Sequence, residues 1–437
     1  MASNGHNAAT NGFLPNASLE ADAAAALGKV RDYFLSTQSP EGYWWGELES
    51  NPTMEAEYIL LLHYLRVDER ERVAKVATDI RRRQGEDGSW RMYFGAPGDL
   101  STSIECYFAL KLAGMQADDP AMLRAKEFIL SKGGVPKARV FTKIWLALFG
   151  QWEWRGTPVM PPEMMLLPQW APFNIYQFAS WARATIVPMT VILTQHPTRS
   201  ISAEHSIDEL YPEPRSETDY SLPRRNSNPL SMEGLFLLVD KALRVYERMP
   251  WKPLRNMALR KVERWAVEHQ EADGSWGGIQ PPWVYALIAL SNLGYDNEHP
   301  VMEKGLQGFK GAWSHPSEDG EAVRVQACLS PVWDTALALL GLLDSGLAAD
   351  HPAVQRAARW LLQEEVHVNG DWAVKAKGIE PSGWAFEFEN DQYPDIDDSA
   401  VVVMDLAGAR MNDASEDEQR QASVERAVQW LLGMQSS

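Results

Sequence analysis

Cysteine is scarce in this sequence, with two residues, Cys106 and Cys328, in a chain of 437. Two cysteines so far apart argue against a disulfide framework and a structural zinc site, and they fit a reducing compartment better than an oxidising one. An excess of positive charge is also absent, since the formal net charge is −18. Nucleic acids need a basic face, so this balance argues against them as partners, although it leaves membrane surfaces open.

Long hydrophobic runs are missing as well. The longest candidate, 184–193, falls well short of the ~20 residues that span a bilayer, and it contains Pro188. The first residues are rich in Ala, Asn and Gly and lack the basic start and apolar centre of a signal peptide. We therefore interpret residues 1–24 as a flexible tail and predict no spanning helix.

Tryptophan, by contrast, is abundant, with 18 residues, and a side chain of this size is used for stacking at turns or for lining a cavity. Several of these tryptophans belong to a repeat in which Gln precedes Trp by six positions, with Gly in the turn between them. The copies are Gln38-Ser-Pro-Glu-Gly-Tyr-Trp44, Gln84-Gly-Glu-Asp-Gly-Ser-Trp90, Gln270-Glu-Ala-Asp-Gly-Ser-Trp276 and a looser copy with an insertion, Gln363 to Trp372.

Helical periodicity flanks each of these turns. Apolar helical runs follow them at 54–65, 102–112, 282–293 and 332–347. Helix, Gly-containing turn and helix in repeated units indicate stacked helix pairs, and strict strand alternation is almost absent. The predicted fold class is all-α, with the helix pairs closed into α/α barrels.

Two segments interrupt the regularity. Residues 156–173 contain five prolines and are predicted to form an extended loop, and residues 196–231 are polar and are predicted to form a long surface loop. An amphipathic helix is then predicted at 232–249. It is either another barrel helix or a helix that docks on a membrane with its apolar face outward.

The sequence Asp395-Ile396-Asp397-Asp398 offers acid chemistry. Carboxyl groups that converge in an apolar cavity cannot all ionise, so at least one keeps a proton, which belongs to the cluster as a whole. The alternatives are a solvated acidic loop or a calcium site. A calcium loop usually continues with further oxygen ligands and glycines, whereas the apolar run 400–404 follows here at once.

These motifs together resemble the squalene–hopene cyclases, a family of class II triterpene cyclases. The resemblance covers residues 25–437. It is carried by the Gln-to-Trp repeats, by Asp395-Ile-Asp-Asp-Ser-Ala400, and by the stretches Thr53-Met-Glu-Ala-Glu-Tyr58, Ser180-Trp-Ala-Arg-Ala-Thr185, Trp276-Gly-Gly-Ile-Gln-Pro-Pro-Trp283 and Ser330-Pro-Val-Trp-Asp-Thr335.

The resemblance implies a domain organisation. Residues 25–310 would form an N-terminal α/α barrel, and residues 311–437 would form an incomplete second barrel that carries the aspartate motif. Residues 432–437 resemble the opening of a further repeat. We expect family members to continue beyond this point, so that the chain by itself is folded in its first barrel but inactive.

The resemblance also implies roles for individual residues. Asp397 would donate a proton to an alkene, with Asp395 and Asp398 tuning and orienting it. A second set would line the cavity through which the cation moves, or its entrance; the alternative for each is ordinary core packing. These are the wall residues Trp181, Trp333 and Phe386, the shaping residue Ile279, and the entrance residues Phe178 and Ile186.

A third set implied by the resemblance is polar and would terminate the reaction. It comprises Glu57, Glu105, Arg139, Gln280 and Tyr285. A buried ion pair is the competing interpretation for Glu105. Two positions depart from the family pattern: Ser399 stands where Thr is usual, and Glu387 stands where Gln is usual, beside Phe386. The second departure bears on product identity more than on reaction class.

The implied reaction is the polycyclisation of squalene to hopene or hopanol in hopanoid biosynthesis, an isomerase reaction without cofactor or metal. The protein is expected at the cytoplasmic side of a bacterial membrane, with a homodimer possible for the full-length protein. An oxidosqualene cyclase is disfavoured because Asp397-Asp398 is not followed by Cys, and a zinc prenyltransferase because neither cysteine has a ligand context. A class II cyclase for another polyprene and a non-catalytic fragment remain alternatives.

Overall fold

Helix starts follow the capping side chains and prolines in the sequence. The computed structural model describes residues 17–222 and 231–435. Asp99, Asp119, Asp395 and Asp413 each accept a backbone N–H at a helix start, as N-capping residues do. Within the described ranges the helices are α1 (Ala17–Thr37), α2 (Thr53–Leu65), α3 (Arg70–Arg82), α4 (Leu100–Leu112), α5 (Pro120–Ser131), α6 (Val140–Leu148), α7 (Ser180–Gln195), α8 (Met232–Arg248), α9 (Arg255–Glu268), α10 (Gln280–Leu293), α11 (Pro300–Gly308), α12 (Pro331–Asp344), α13 (Pro352–Gln363), α14 (Ile396–Gly408) and α15 (Ala414–Gly433).

The few strands lie in short antiparallel pairs. β1 (Trp90–Arg91) pairs with β2 (Gly98–Asp99), and β3 (Ser314–Pro316) pairs with β4 (Val323–Val325). The all-α prediction is therefore confirmed. In the part of the chain that the structure describes, no helix is both long and apolar enough to cross a membrane.

The Gln-to-Trp turns tie consecutive helix pairs together. In the second copy, the Gln84 side-chain amide donates to the carbonyl oxygens of Gly88 and Ala121, both at 2.9 Å. The indole N–H of Trp90 donates to the Ile80 carbonyl at 2.6 Å. The Gln side chain thus joins its own turn to the start of α5, and the Trp side chain binds the turn back to α3.

The first and third copies repeat this arrangement. Trp44 and Trp276 donate to carbonyls ten residues earlier, at 2.7 and 2.6 Å. Gln38 and Gln270 bridge their own turn to a later helix, as Gln84 does. The repeat is therefore a hydrogen-bonded connector as well as a packing motif.

The fourth copy differs from the prediction. Trp384, and not Trp372, donates its indole N–H to the preceding helix, at the Leu361 carbonyl with 2.6 Å. The Trp372 indole nitrogen is buried and has no hydrogen-bond partner among the described residues. Residues inserted between Gln363 and Trp384 displace the turn, so sequence spacing alone selected the wrong tryptophan.

The buried residues form two hydrophobic cores. The first includes side chains of α2, α4, α6, α7 and α10 and extends to Leu329, past the predicted boundary at residue 310. The second is built by α12 to α15 together with Trp44, and Phe34 of α1 packs against it. The N-terminal helix and the first Gln-to-Trp turn thus belong with the second core, whereas the sequence assigned them to the first.

Three other predictions are corrected in part. Residues 17–24 lie in α1 and are not a flexible tail, because an Ala-rich stretch favours helix; residues 1–16 lie outside the described residues. The segment 196–231 does run without α-helix where it is described, yet Ile207 and Leu210 are fully buried in the first core. Residues 223–230 of that segment lie outside the described residues. The segment 156–173 follows a short 3-10 turn, Trp154–Gly156, and contains another, Pro162–Leu166, in which Met165 is buried.

Candidate active site

The aspartate motif lies in the backbone frame that a Gln-to-Trp turn creates. The Asp395 N–H donates to the Trp384 carbonyl at 3.0 Å, and the Asp395 carboxylate accepts the Asp398 N–H at 2.8 Å. The Trp384 N–H in turn donates to the Ser399 hydroxyl at 2.9 Å. Asp395 is therefore the N-cap of α14, and Ser399 holds the turn against that helix.

The second repeat has the same frame without the acid pair. Asp99 caps α4 by accepting the Thr102 N–H at 2.8 Å, and the Trp90 N–H donates to the Ser103 hydroxyl at 3.0 Å. Thr102 occupies the place that Asp398 has in the motif. The motif is thus a repeat unit in which a hydroxyl residue is exchanged for a carboxyl.

Asp398 is the buried carboxyl of the motif, with 2% of its surface exposed. Burial raises the pKa of Asp398 to about 9, and the hydrogen bond and charge of Asp395 act in the same direction. Its Oδ1 atom has no hydrogen-bond partner among the described residues. Asp398 consequently holds a proton at neutral pH, as a carboxyl in a desolvated acidic cluster must.

Asp397 and Asp395 differ from the expectation of an enclosed cluster. Asp397 is exposed and Asp395 is partly buried. Ile396 and Asp397 are the first two residues of α14 and both face outward, because only the third position of the turn points back to the helix pair. The expectation of three carboxyls in a dry chamber is wrong for Asp397, whose role as proton donor stays a prediction.

A cavity of about 650 Å³ lies beside Asp395. Phe178, an entrance residue implied by the sequence, lines it together with Arg183, Asp371 and Tyr393. The structure therefore brings Phe178, the predicted entrance residue, and Asp395, the start of the acid motif, to one cavity. Of the six residues assigned to the cation path and entrance, Phe178 is the one on this wall.

The other five of these residues do not share one wall with Asp395. Trp181 is 61% exposed. Four are partly buried: Trp333, Phe386, Ile279 and Ile186. Partial burial fits both a substrate path and the edge of a core, so the roles of these five residues stay predictions.

A buried ion-pair network in this wall was not found from the sequence. The Arg183 guanidinium lies 2.5 Å from Asp371 and donates to the carbonyls of Ile175 and Phe178 at 3.1 and 3.2 Å. Asp371 also contacts His269 Nε2 at 3.1 Å. The network therefore fixes the backbone of the entrance segment.

The network also reaches the acid motif. The Tyr393 hydroxyl donates to Asp371 at 3.3 Å, and Tyr393 stands two positions before Asp395. Burial alone would raise the pKa of Asp371, but the hydrogen bonds and charges of His269 and Arg183 lower it below its usual value. Asp371 is therefore an ionised anchor that binds both Arg183 and His269. The run of polar residues near the fourth repeat is the sequence signal that could have found it.

The predicted polar set is largely brought together. Burial raises the pKa of Glu57 well above its usual value, and the neighbouring Glu105 adds to this. Burial also raises the pKa of Glu105 to about 7. Tyr285 is buried as well, and desolvation raises its pKa well above normal, with the charge of Glu57 contributing. The three side chains form one desolvated acidic group.

Arg139 and Gln280 lie at the edge of this group. Arg139 is exposed and pairs with Asp99 at 3.3 Å, although its charge lowers the pKa of both Glu57 and Glu105. Gln280 is buried and donates to the Met54 carbonyl at 2.7 Å. The interpretation of Glu105 as a buried ion pair is not supported, because its hydrogen-bond donor is the Thr142 hydroxyl.

Trp145 completes the polar group and was missed from the sequence. Its ring centre lies 5.7 Å from that of Tyr285, and its N–H lowers the pKa of Glu57 and Tyr285. Its indole nitrogen and the Glu57 Oε2 atom are both buried, and neither has a hydrogen-bond partner of good geometry among the described residues. Such orphaned polar atoms mark a place for a polar ligand group or a water molecule.

Glu387, the departure beside Phe386, is 3% exposed. Burial raises its pKa well above the usual value, and the carboxylates of Asp273, Glu271 and Glu389 add repulsion. Burial and like charges together therefore keep Glu387 neutral at physiological pH. A neutral carboxyl resembles the Gln amide that the resemblance leads us to expect here, so Glu387 adds no fixed negative charge beside Phe386.

Metal ligation was a competing interpretation of the acidic motif and of the cysteines. Across residues 17–222 and 231–435, no group of three or more His, Cys, Asp or Glu side chains is arranged to hold a metal ion. Cys106 is buried and Cys328 is partly buried, and both are free thiols. Neither cysteine belongs to a set of metal ligands among the described residues.

Helix pairs joined by Gln-to-Trp turns, with a proton-holding aspartate motif at the start of α14, are the features of the class II terpene cyclases. Two family models match the chain: the squalene-hopene cyclase N-terminal domain over residues 27–318 and the squalene-hopene cyclase C-terminal domain over residues 329–437. The chain belongs to the squalene–hopene cyclase family.

Curated relatives agree with this assignment. The chain is 43% identical to a squalene–hopene cyclase of Alicyclobacillus acidocaldarius, over 95% of this chain and 64% of the relative. It is 40% identical to the dammaradiene synthase of Dryopteris crassirhizoma, over 94% and 58%, and 35% identical to a squalene–hopene cyclase of Zymomonas mobilis, over 98% and 65%. The chain thus spans less than two thirds of the length of these relatives.

Among solved structures, the apo type II terpene cyclase MstE from Scytonema is similar over 96% of this chain and 79% of its own, at 12% identity and a TM-score of 0.18. That level of similarity supports no inference about this chain.

Proposed function

We propose that the activity to which this chain contributes is the cyclisation of squalene to hopene or hopanol, which begins with protonation of a terminal alkene. The observation that carries the proposal is the burial of the Asp398 carboxyl, which raises its pKa to about 9, in a motif capped by Asp395. Protonation of an unactivated alkene needs an acid that is neutral before the reaction and has a carboxylate beside it to stabilise the new cation. Asp397 would deliver the proton of the coupled cluster to the substrate.

The polar group supports the other end of this reaction. Glu57, Glu105 and Tyr285 are desolvated and close together, and Glu57 and Trp145 have orphaned polar atoms. A group of this kind can orient a water molecule that removes a proton from the last cation or adds to it. Hopene and hopanol are the respective products.

We also propose that the chain alone does not turn over squalene. Asp397 is exposed in the structure, and a carbocation formed beside bulk water is captured before further rings close. The exposure of the Trp181 side chain supports the same proposal, because a wall residue of the cation path would also lie beside water. The activity therefore needs further protein surface around the acid motif.

A chimera tests the proposal. This chain is substituted for the matched segment of the Alicyclobacillus acidocaldarius relative, and the products from squalene are identified by gas chromatography and mass spectrometry. We expect hopene or hopanol from the chimera, none from its Asp397→Asn variant at unchanged helix content, and none from the 437-residue chain. A helical chimera that leaves squalene unchanged, while the relative converts it in parallel, would contradict the proposal.

A second polyprene is the competing substrate. The acid motif is equally suited to the terminal alkene of another polyprene, because the proton is delivered to the alkene and not to the rest of the chain. Supplying the chimera with squalene and with a shorter polyprene alcohol in the same reaction decides between them. Preferential conversion of the shorter chain would move the assignment to another class II cyclase.

We further propose that α8 docks the protein on a membrane, at its cytoplasmic side. Its apolar side chains Leu235, Phe236 and Leu238 are 44%, 53% and 64% exposed, and none of the helix is buried. The Phe236 ring lies 6.5 Å from that of Phe173, which is also exposed. A continuous apolar surface of this kind favours insertion into the lipid interface.

Sedimentation with lipid vesicles tests the docking. The double variant Phe236→Glu/Leu238→Glu should lose most of its vesicle binding, because two carboxylates would have to enter the interface. The matched control is Phe94→Glu/Leu123→Glu, which changes two exposed apolar residues outside α8. Equal binding of both variants would contradict docking through α8.

A further inference from the structure

A second cavity, of about 870 Å³, lies between α8 and the segment 218–222. Its wall on α8 is a stripe of residues three or four positions apart, which share one face of a helix. The stripe runs from Gly234 and Leu237 at one end to Lys241, Arg244 and Arg248 at the other. One end is therefore apolar or small, and the other is cationic.

The charges around this cavity are opposite in sign to those of the chain as a whole. Four cations line it: Arg155, Lys241, Arg244 and Arg248. Two carboxylates face them, Asp219 and Asp240. The balance is thus two positive charges in excess, in a chain whose formal net charge is −18.

Two of these charges are already used within the protein. The Arg244 guanidinium lies 2.6 Å from Asp240, and it also donates to the carbonyls of Arg155 and Thr157. Asp240 accepts the Val159 N–H at 2.9 Å. This pair fastens α8 to the segment after Arg155 and contributes no free charge.

Lys241 and Arg248 remain available. Both are exposed, and over the described ranges neither takes part in a hydrogen bond, a salt bridge or a ring contact. The Arg155 guanidinium lies over the Tyr220 ring, 4.9 Å from the ring centre, and its carboxylate partner Glu153 is distant, at 3.9 Å. Three cationic groups thus surround one cavity, and among the described residues none of them has a carboxylate closer than 3.9 Å.

The apolar contacts of the cavity distinguish its ligand from a free anion. Leu222, Leu237 and Leu238 line it, and Leu238 belongs to the exposed apolar surface of α8. A ligand that satisfies both sides has an anionic head and an apolar tail. Nucleic acid does not fit, because it offers no apolar tail and the chain is strongly acidic.

We infer that this cavity binds the phosphate headgroup of an anionic phospholipid, with the acyl chains lying along the apolar side chains of α8. The inference rests on the proposed docking of α8 and adds the class of lipid to it. Lys and Arg side chains at this level reach the headgroups while their aliphatic parts remain among apolar groups. Contact between the cationic end of the stripe and the headgroups would in this way determine how deeply α8 lies in the lipid surface and how it is oriented there.

Vesicle binding by the full 437-residue chain tests the inference. Phosphatidylcholine vesicles are compared with vesicles containing phosphatidylglycerol, for the wild-type chain and for Lys241→Glu/Arg248→Glu. The matched control is Lys29→Glu/Arg410→Glu, which reverses two exposed cations associated with the other core. Lys241→Gln/Arg248→Gln serves as a second variant that removes the charges without adding carboxylates, and circular dichroism checks the helix content of all four proteins.

We expect phosphatidylglycerol to increase the partition of the wild-type chain and of the control by about tenfold or more, since each cation at an anionic surface contributes severalfold. Both Lys241/Arg248 variants should lose most of this increase and keep their binding to phosphatidylcholine. Inorganic phosphate at millimolar concentration should not reduce the increase that phosphatidylglycerol causes. If phosphate abolished this increase, the cavity would be assigned to free phosphate and the inference would be overturned.

The remaining outcomes separate the two proposals. Equal binding of the wild-type chain to both kinds of vesicle, or equal losses in the control variant, would overturn the headgroup site while docking stands. Absence of binding to either kind of vesicle would overturn the docking of α8, and the headgroup site with it.

Discussion

The Arg183 guanidinium lies 2.5 Å from the Asp371 carboxylate, and each side chain is 8% exposed. The pair joins α7, which follows the entrance residue Phe178, to the segment that leads through Tyr393 to the acid motif. Because both ions are desolvated, each depends on the other for its charge compensation. The pair therefore fixes the position of Phe178 relative to the acid motif, which the proposed reaction requires.

Removal of the carboxylate charge at this pair should weaken the fold. Asp371→Asn leaves Arg183 and His269 facing a neutral amide in a buried site, and we expect the free energy of unfolding to fall by about 3 kcal/mol. Urea unfolding followed by circular dichroism measures it. The control Asp319→Asn removes the partner of Arg82 at the surface, where the loss should be small. Equal losses would contradict the role of burial.

The pH dependence of the Asp371 pair has a definite sign. Its pKa is lowered in the folded protein, so its contribution is present above the unfolded pKa of about 3.9 and is lost as the pH falls through the lower folded value. The wild-type chain and Asp371→Asn should therefore converge in stability under acid conditions. A constant difference down to the lowest pH at which the chain stays folded would argue against the ionised state.

Asp398 should show the opposite dependence. Its pKa is raised to about 9, so its contribution is fully present below the unfolded pKa of about 3.9 and is lost as the pH rises towards 9. Asp398→Asn should gain stability over the wild-type chain as the pH rises from 4 to 8, by up to about 1.4 kcal/mol per pH unit, with the smallest difference near pH 4. Asp397→Asn, at the exposed neighbour, should retain most of the wild-type slope. Thermal unfolding over this pH range distinguishes the two variants.

The Ser399 hydroxyl is expected to act in the fold. Ser399→Ala leaves the buried Trp384 N–H without an acceptor, which should lower the free energy of unfolding by about 1–3 kcal/mol. Ser103→Ala removes the equivalent acceptor of Trp90 and should have a similar effect. Ser399→Thr should remain close to wild type, because Thr335 accepts the Trp44 N–H at 2.9 Å in the first repeat. A strong loss from the Thr variant would contradict this equivalence.

The turn glycines are expected to be required by close packing. Gly274 has φ +97°, and a Cβ atom there would lie 2.3 Å from the Lys304 carbonyl oxygen. Gly274→Ala should therefore destabilise the fold by about 2 kcal/mol or more, through strain and collision together. Gly294, with φ +105° and open space around it, isolates the strain alone, and Gly294→Ala should lose about 1 kcal/mol. Equal losses in urea unfolding would contradict the collision.

Much of the secondary structure could be predicted, because helix formation is local. The apolar periodicity indicated helices at 54–65 and 282–293, and the structure has α2 at Thr53–Leu65 and α10 at Gln280–Leu293. The amphipathic segment 232–249 is α8, Met232–Arg248. These outcomes follow from side-chain spacing and from caps, which neighbouring residues determine.

The acid motif was also visible in the sequence, but the burial of its three carboxyls was not. Asp395, Asp397 and Asp398 lie within four positions, yet one is partly buried, one exposed and one buried. Their exposure depends on how α14 is rotated against the Trp384 turn. That rotation is set by packing between α12, α14 and α15, which no short window of sequence contains.

The sequence by itself determined the helical class, the Gln-to-Trp connectors, the family and the presence of an aspartate motif and a separate polar set. The tertiary structure alone decided that Trp384 replaces Trp372 in the fourth connector, that α1 joins the second core, and that Arg183, Asp371 and His269 meet in one wall. The physical reason is range: propensity, capping and motif spacing act over a few residues, whereas charge compensation, desolvation and core membership depend on contacts between residues as far apart as Trp44 and Thr335.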